Sequence, residues 1–380
     1  MTYVRSSKCY FKRWLTSHKQ TMLAEFMQEY HRVVEWVIEH FDKEIYLGLS
    51  RFSLLTANNL VQCDSWLRSS CKQNAFSEAY ALVIGTKRSC DTLSKPYKRP
   101  KHNENRMLLS ELNTKIASDT ELKDYDLLVE LRCYDSRGKR VKLAIPLKRN
   151  EHFNKWNSKG KLAKSIIVTD KYIQFSFEVE QAKKAEGSII GLDPGAKHLL
   201  TTDEGTHYGN EMWDLLLKLR RKKTHSKQWS KTKEEIKEYV DRSCKSLPYN
   251  ELRKLVLEDN KNIKKNSKVR GRLTKNMRSF LNGWVIGRID SRIEQLCQEN
   301  GVSLARVPAY NNSIMCPACG CVEKANRASQ ETFRCIKCGH VDNADKIGSL
   351  NSLARFALGA YGSEFKPLFY QKHPKYKLGV

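Results

Sequence analysis

The sequence predicts a multidomain α/β protein. An antiparallel β-barrel carrying an inserted helical lobe comes first, followed by an α/β domain carrying an inserted zinc ribbon. Three observations carry this prediction. Helical periodicity fills residues 11–93, short alternating strands fill 125–180, and from Ser188 onward apolar strands alternate with long helical stretches. Four cysteines at metal-binding spacing then interrupt the last domain.

In the first stretch, Met22, Phe26, Tyr30, Val33, Val34 and Val37 recur at three- and four-residue steps, as a buried helical face requires. Leu60, Cys63, Trp66 and Leu67 repeat the pattern. A connector with two prolines and four basic residues follows, Lys95 to His102, and reads as an exposed cationic loop in which Lys98, Arg99 and Lys101 are candidate nucleic-acid contacts. The strand region holds two hairpins. Leu127–Tyr134 and Val141–Pro146 flank the turn Asp135-Ser136-Arg137-Gly138, and Ser165–Val168 and Tyr172–Val179 flank Thr169-Asp170-Lys171. With the N-terminal strand Tyr3-Val4-Arg5, these hairpins are expected to close the barrel, which makes the helical region an insertion after its first strand.

From Ser188 the strand Ile189–Leu192 ends in Asp193-Pro194-Gly195. Residues 211–243 read as one long charged helical stretch with a basic run at Lys218, Arg220, Arg221, Lys222 and Lys223. The strand Leu255–Leu257 ends in Glu258-Asp259, and a basic segment, Lys261 to Lys275, follows. A helix over 278–299 buries Leu281, Val285, Ile289, Ile293 and Leu296 and stops at Gly301, before a third strand, Val302–Val307. The ribbon is inserted after it. Cys316-Pro317-Ala318-Cys319 and Cys335-Ile336-Lys337-Cys338 have the C-x2-C-x15-C-x2-C spacing at which two knuckles close four thiolates around Zn²⁺. A four-thiolate site leaves no open position, so this zinc is expected to be structural. Cys321 breaks the spacing and reads as a spare thiol, and Cys9, Cys63, Cys71, Cys90, Cys133, Cys244 and Cys297 read as small core residues.

The 380 residues suffice for two or three domains, and 40% hydrophobic content makes them globular. The net charge of +26, from 68 Lys+Arg against 42 Asp+Glu, asks for a polyanionic partner, and nucleic acid fits because phosphate contacts release condensed counterions. The N-terminus lacks the apolar core of a secretory signal and no apolar run approaches a membrane span, so a cytoplasmic protein with thiol cysteines is expected.

Three acids share one context. Asp193 and Glu258 each follow an apolar strand, and Asp345 opens a helix seven residues past the last cysteine. Acids from different strands that converge at one end of a sheet can hold two Mg²⁺ (or Mn²⁺) ions about 4 Å apart, the arrangement for hydrolysis of a polynucleotide. Asp259 and Asp342 are neighbouring competitors for the second and third positions.

Gly191-Leu192-Asp193-Pro194-Gly195-Ala196-Lys197-His198-Leu199 resembles the first RuvC motif of the transposon-encoded TnpB nucleases and of the compact type V CRISPR effectors related to them. Leu255-Val256-Leu257-Glu258-Asp259-Asn260 is similar to their second motif, and Asp345-Lys346-Ile347-Gly348-Ser349-Leu350-Asn351 to their third. The family's Thr-Ser-Gln before the ribbon is here Asn312-Ser313-Ile314, its Asn-Ala-Ala after the third acid is Ile347-Gly348-Ser349, and Asn260 stands where Leu is common. None of these departures removes a carboxylate, and the register of the motifs favours Glu258 over Asp259 and Asp345 over Asp342.

The resemblance implies a RuvC (RNase H-like) nuclease domain over 188–310 and 341–380 and a zinc ribbon over 311–340. It also implies a wedge β-barrel over 1–10 and 121–187, with a helical recognition lobe over 11–120. The expected function is RNA-guided DNA cleavage at a two-metal site of Asp193, Glu258 and Asp345, with guide RNA and target DNA as partners. In such systems base pairing reads the sequence while protein reads a short flanking motif and the backbone. Arg220, Arg221, Lys222 and Lys223 join the connector cations as candidate contacts, and a homodimer is left open. A guided repressor or transposition regulator that binds without cutting is the alternative, and an unguided nuclease keeping the same acids is a third reading. Metal-dependent cleavage and co-purifying RNA separate the three.

Overall fold

A computed structural model describes residues 1–11, 15–93, 95–118, 124–135, 137–195, 197–259, 285–309, 311–329 and 331–357. The basic segment Lys261 to Lys275 and the expected helical residues 278–284 lie outside them. The chain divides into two compact units, Thr2–Glu180 and the remainder from Gln181 on together with Met1.

In the first unit, β1 (Thr2–Tyr10) is followed by α1 (Ser17–Leu47), α2 (Arg51–Leu54), α3 (Ala57–Gln62) and α4 (Ser69–Leu93). Helix α1 starts where Thr16 accepts a hydrogen bond from Lys19 N and buries Phe26, Tyr30, Val33, Val34 and Val37, the expected face, while Leu23 rather than Met22 continues it inward. Four antiparallel strands run in the order β1-β7-β6-β2, with β2 at Arg106–Ser110, β6 at Lys161–Thr169 and β7 at Tyr172–Glu180. Three more form a separate sheet, β3 (Thr114–Ser118), β4 (Leu127–Tyr134) and β5 (Arg140–Leu147). Alternation decides what faces inward: Ile173, Phe175, Phe177 and Val179 of β7 are buried, and Phe153 of the short helix α5 (Glu151–Asn157) packs edge-on against Phe175 and Phe177 at 5.2 and 5.1 Å.

The two expected hairpins form, but they do not close one barrel. The β6–β7 hairpin is flanked by β1 and β2, and the β4–β5 hairpin by β3. Strands β2 and β3 come from residues expected to be part of the helical insertion. They occupy the edges through which the hairpins would have met, so the described residues form two open sheets.

In the second unit, five strands run in the order β10-β9-β8-β11-β12: β8 (Ser188–Asp193), β9 (Leu200–Thr202), β10 (His207–Tyr208), β11 (Leu252–Asp259) and β12 (Ser303–Pro308). Strands β8, β11 and β12 are parallel, with Leu257 opposite Leu192 and Leu255 opposite Leu304, and β9 runs antiparallel to β8. Parallel strands covered on both faces read as continuous apolar runs, and Leu255, Val256 and Leu257 are all buried. The charged stretch expected as one helix is two, α6 (Met212–Arg220) and α7 (Lys227–Lys245), because Ser226 caps a new start by accepting from Trp229 N. Helix α8 (Ile286–Glu299) buries Ile289, Ile293 and Leu296. A small hairpin, β13 (Thr332–Arg334) and β14 (Val341–Asn343), leads into α9 (Ala344–Ala357). Among the described residues, no helix is long and apolar enough to cross a membrane.

Helix α9 lies directly on β8. A Cβ on Gly191 would overlap the carbonyl oxygen of Ser349 and stand 3.1 Å from Leu353 Cβ. The obstacle is backbone and cannot rotate away, so Gly191→Ala is expected to cost at least about 1–3 kcal/mol. The test is a urea melt, in which the midpoint should fall.

Candidate functional site

The ribbon is built from two copies of one turn. Gly320 N donates to Cys316 O at 2.7 Å and Gly339 N to Cys335 O at 3.0 Å, and both glycines have φ near +74° (74° and 73°), where a side chain is strained. Each Cys-x-x-Cys-Gly knuckle thereby aims two sulfurs the same way. Cys316 Sγ lies 3.7 Å from Cys338 Sγ and Cys319 Sγ 3.5 Å from Cys335 Sγ, with all four sulfurs within 4.8 Å of one another. Tetrahedral zinc at a bond length of about 2.3 Å needs sulfurs about 3.8 Å apart, so the four thiols fit that ion. Burial raises the Cys316 thiol and holds Cys319 up at about 11. At Cys335 burial also acts upward, but backbone N–H groups of Cys338 and Lys337, with the Cys319 and Cys338 thiols, bring it down to about 7. Asn326, fully buried, ties the knuckles together: its amide donates to Ile314 O and Cys321 O and accepts from Ile336 N. Cys321 stands outside the four-sulfur group.

The acids meet at the carboxyl end of the parallel strands. Asp193 ends β8, and Glu258 lies one step past the Leu257–Leu192 pair on β11. Asp345 is in the first turn of α9, where Asn343 caps the helix by accepting from Asp345 N and Lys346 N at 2.9 and 3.1 Å. Gly348, one turn on, brings that helix against Asp193: a Cβ there would stand 2.8 Å from Asp193 Oδ2.

Charge records the convergence. Loss of water, then the repulsion of Glu258 and of Asp345, raises the Asp193 carboxyl well above its ordinary value, with Arg327 opposing. Burial raises Asp345 as well, while Arg327, His198 and His207 pull it down. The three carboxylates are spread more widely than the four thiols, which among the described residues are the group of three or more ligands drawn into one coordination sphere. Of the competing acids, Asp259 points the other way along β11 and is exposed, and Asp342 is paired with Lys346 Nζ at 3.0 Å.

Three contributions to this site were given no role by the sequence. Arg327, from the ribbon, reaches Asp345 Oδ1 with Nη2 at 3.4 Å. His198 and His207 stack at 4.0 Å, their Nδ1 atoms against Asn210 Oδ1 and Thr201 Oγ1. Asn312 donates from Nδ2 to Glu258 Oε1 at 2.8 Å. Each joins residues distant in sequence, and no spacing rule reports such contacts. Of the expected nucleic-acid contacts, Lys98, Lys101, Arg220, Arg221 and Lys223 are exposed and Lys222 is partly so, while exposed Arg99 is paired with Asp42 at 3.1 Å.

Comparison with known proteins meets the same region. Residues 287–352 match the family model described as the Cas12f1-like TNB domain. A putative RNA-guided DNA endonuclease, InsQ, of Escherichia coli is 30% identical over 213 residues, 48% of this chain and 52% of that protein. A TnpB-like protein of Methanocaldococcus jannaschii is 27% identical over 122 residues, 31% of this chain and 42% of that one. Over part of its length the chain is similar to TnpB-like proteins. Its similarity therefore spans about half the length of these curated relatives or less. The fold of this chain is α/β and similar to that of Cas12f effectors: a Cas12f1 chain solved with single-guide RNA and target DNA superposes with a TM-score of 0.57, covering 92% of this chain and 98% of that one at 11% identity.

Proposed function

We propose that this chain is an RNA-guided DNA endonuclease that hydrolyses phosphodiester bonds at Asp193, Glu258 and Asp345. The observation that carries the reading is the meeting of these three carboxylates, from two neighbouring parallel strands and one helix, beside a thiol-lined ribbon. The residues fit divalent cations. Their mutual repulsion raises Asp193 and would be relieved by positive charge, and hard oxygen donors suit Mg²⁺ or Mn²⁺. Such ions, when bound, supply activation of water and stabilisation of the leaving oxygen.

The chain's own residues do the rest. Asp193, Glu258 and Asp345 would together hold the cations, with Asp193 the acid on which the charge of both others acts. Arg327 can move from Asp345 to a phosphate oxygen without changing its charge, so it would orient the scissile group. Cys316, Cys319, Cys335 and Cys338 would hold Zn²⁺ and keep Arg327 and Asp345 in place. Lys98, Arg99, Lys101, Arg220, Arg221, Lys222 and Lys223 would contact guide RNA or target DNA. A repressor that binds without cutting needs no such carboxylates and is the weaker reading. A homodimer is not part of the proposal.

Sequencing RNA that co-purifies with the protein tests the guide, and cutting of DNA matched to that RNA tests the chemistry. Purification without RNA would leave an unguided nuclease. Guide binding is expected to weaken by about a thousandfold between 50 and 200 mM salt if some six phosphates are contacted. A flat salt dependence in filter binding would contradict the cationic contacts.

A further inference from the structure

We infer that Asn312 is a positioning residue that sets the Glu258 carboxylate for cation binding and carries the ribbon's fold to it. The inference rests on the reading of Glu258 as a cation-holding group. Asn312 is 1% exposed, and its Nδ2 donates to Glu258 Oε1 at 2.8 Å and to Ser352 Oγ on α9 at 2.9 Å. The orientation of the amide is dictated: an ionised carboxylate accepts only, so nitrogen must face it. That leaves Asn312 Oδ1 buried without a hydrogen-bond partner among the described residues. A buried orphan acceptor costs roughly 1–3 kcal/mol, and it marks a site where something other than stability is served. Asn312 spends one amide oxygen to hold Glu258 in one direction.

Its backbone is fixed just as firmly. Fully buried Asn351, also on α9, donates from Nδ2 to Asn312 O at 2.7 Å and to Met315 O at 2.9 Å, and Met315 precedes the first zinc-site cysteine. The two asparagines thus link the first knuckle, the helix of Asp345 and the strand of Glu258. A donor on one carboxylate oxygen directs the other toward a cation, and loss of such outer partners typically weakens metal affinity about 10- to 100-fold.

The test is Mn²⁺ binding to the intact, zinc-loaded chain, followed by calorimetry and by electron paramagnetic resonance. Asn312→Leu keeps the branched shape and removes the donor. It is expected to weaken Mn²⁺ binding at least about tenfold and to raise the Mg²⁺ concentration for half-maximal cutting, with zinc content and target binding unchanged. Asn312→Ala carries the same comparison if leucine does not fit. A wild-type Mn²⁺ isotherm in a folded variant overturns the inference. Loss of zinc or of the fold in both variants also overturns it, by assigning Asn312 to the ribbon's stability. Glu258→Ala separates the levels. If it loses Mn²⁺ while Asn312→Leu does not, only this inference fails; if it binds Mn²⁺ like wild type, the carboxylate reading fails with it.

Discussion

Asp193→Ala is expected to reduce cutting at least about a thousandfold, some 4 kcal/mol of transition-state stabilisation, while guide RNA and target DNA stay bound. Asp193 is the acid on which the charge of both others acts, so its removal takes away the centre of the cluster. Glu258→Ala and Asp345→Ala each remove one carboxylate of the same site and are also expected to be severe. Folding should survive, because the carboxyl packs against Gly348 and its loss relieves repulsion rather than breaking a bond. The measurement is one purified complex of each variant with its co-purified RNA, assayed for target retention and cleavage. Undiminished cutting by Asp193→Ala would refute the catalytic assignment. Loss of RNA together with cutting would make Asp193 a structural residue.

What could be read in advance follows from the range of the interactions. Strands β8, β11 and β12 were legible because parallel strands need unbroken apolar residues, and Asp193 and Glu258 were legible because each ends such a run. The knuckles were legible because zinc fixes a two-residue gap. The barrel was not, because β2 and β3 are five residues each and sit in sequence beside long helices, where local pattern cannot report which edge they will cover. The break between α6 and α7 had a signal, Ser226 before Trp229, masked by the charge run on either side. Arg327 and Asn312 were beyond local reasoning. Their partners lie 18 and 54 residues away, and arginines and asparagines are common enough that neither stands out.

Cys335→Ser is expected to release zinc and to lower cleavage through Arg327, Asp345 and Glu258 rather than through the guide. Zinc in modules of this kind contributes about 10–16 kcal/mol of binding free energy, much of it folding energy. The ribbon has little else: its core is Cys316, Phe333, Cys335, Ala344 and Ile347, of which two are ligands. The Cys335 thiol is held down at about 7, which favours its ionisation to accept the metal, and serine there removes one of the four ligands. Without the ion, the raised thiols of Cys316 and Cys319 keep their protons and the knuckles lose their common centre. Arg327 and the Asn343 cap of α9 lie within or directly after the loosened segment, and Asn312 lies four residues before it. Elemental analysis should therefore find about one zinc per wild-type chain and none in Cys335→Ser, with cutting lost and salt-sensitive RNA binding kept. A chelator should reproduce the loss in wild type, and added Zn²⁺ should restore it there but not in the variant. A wild-type protein free of zinc that still cuts would refute the structural role of the ribbon.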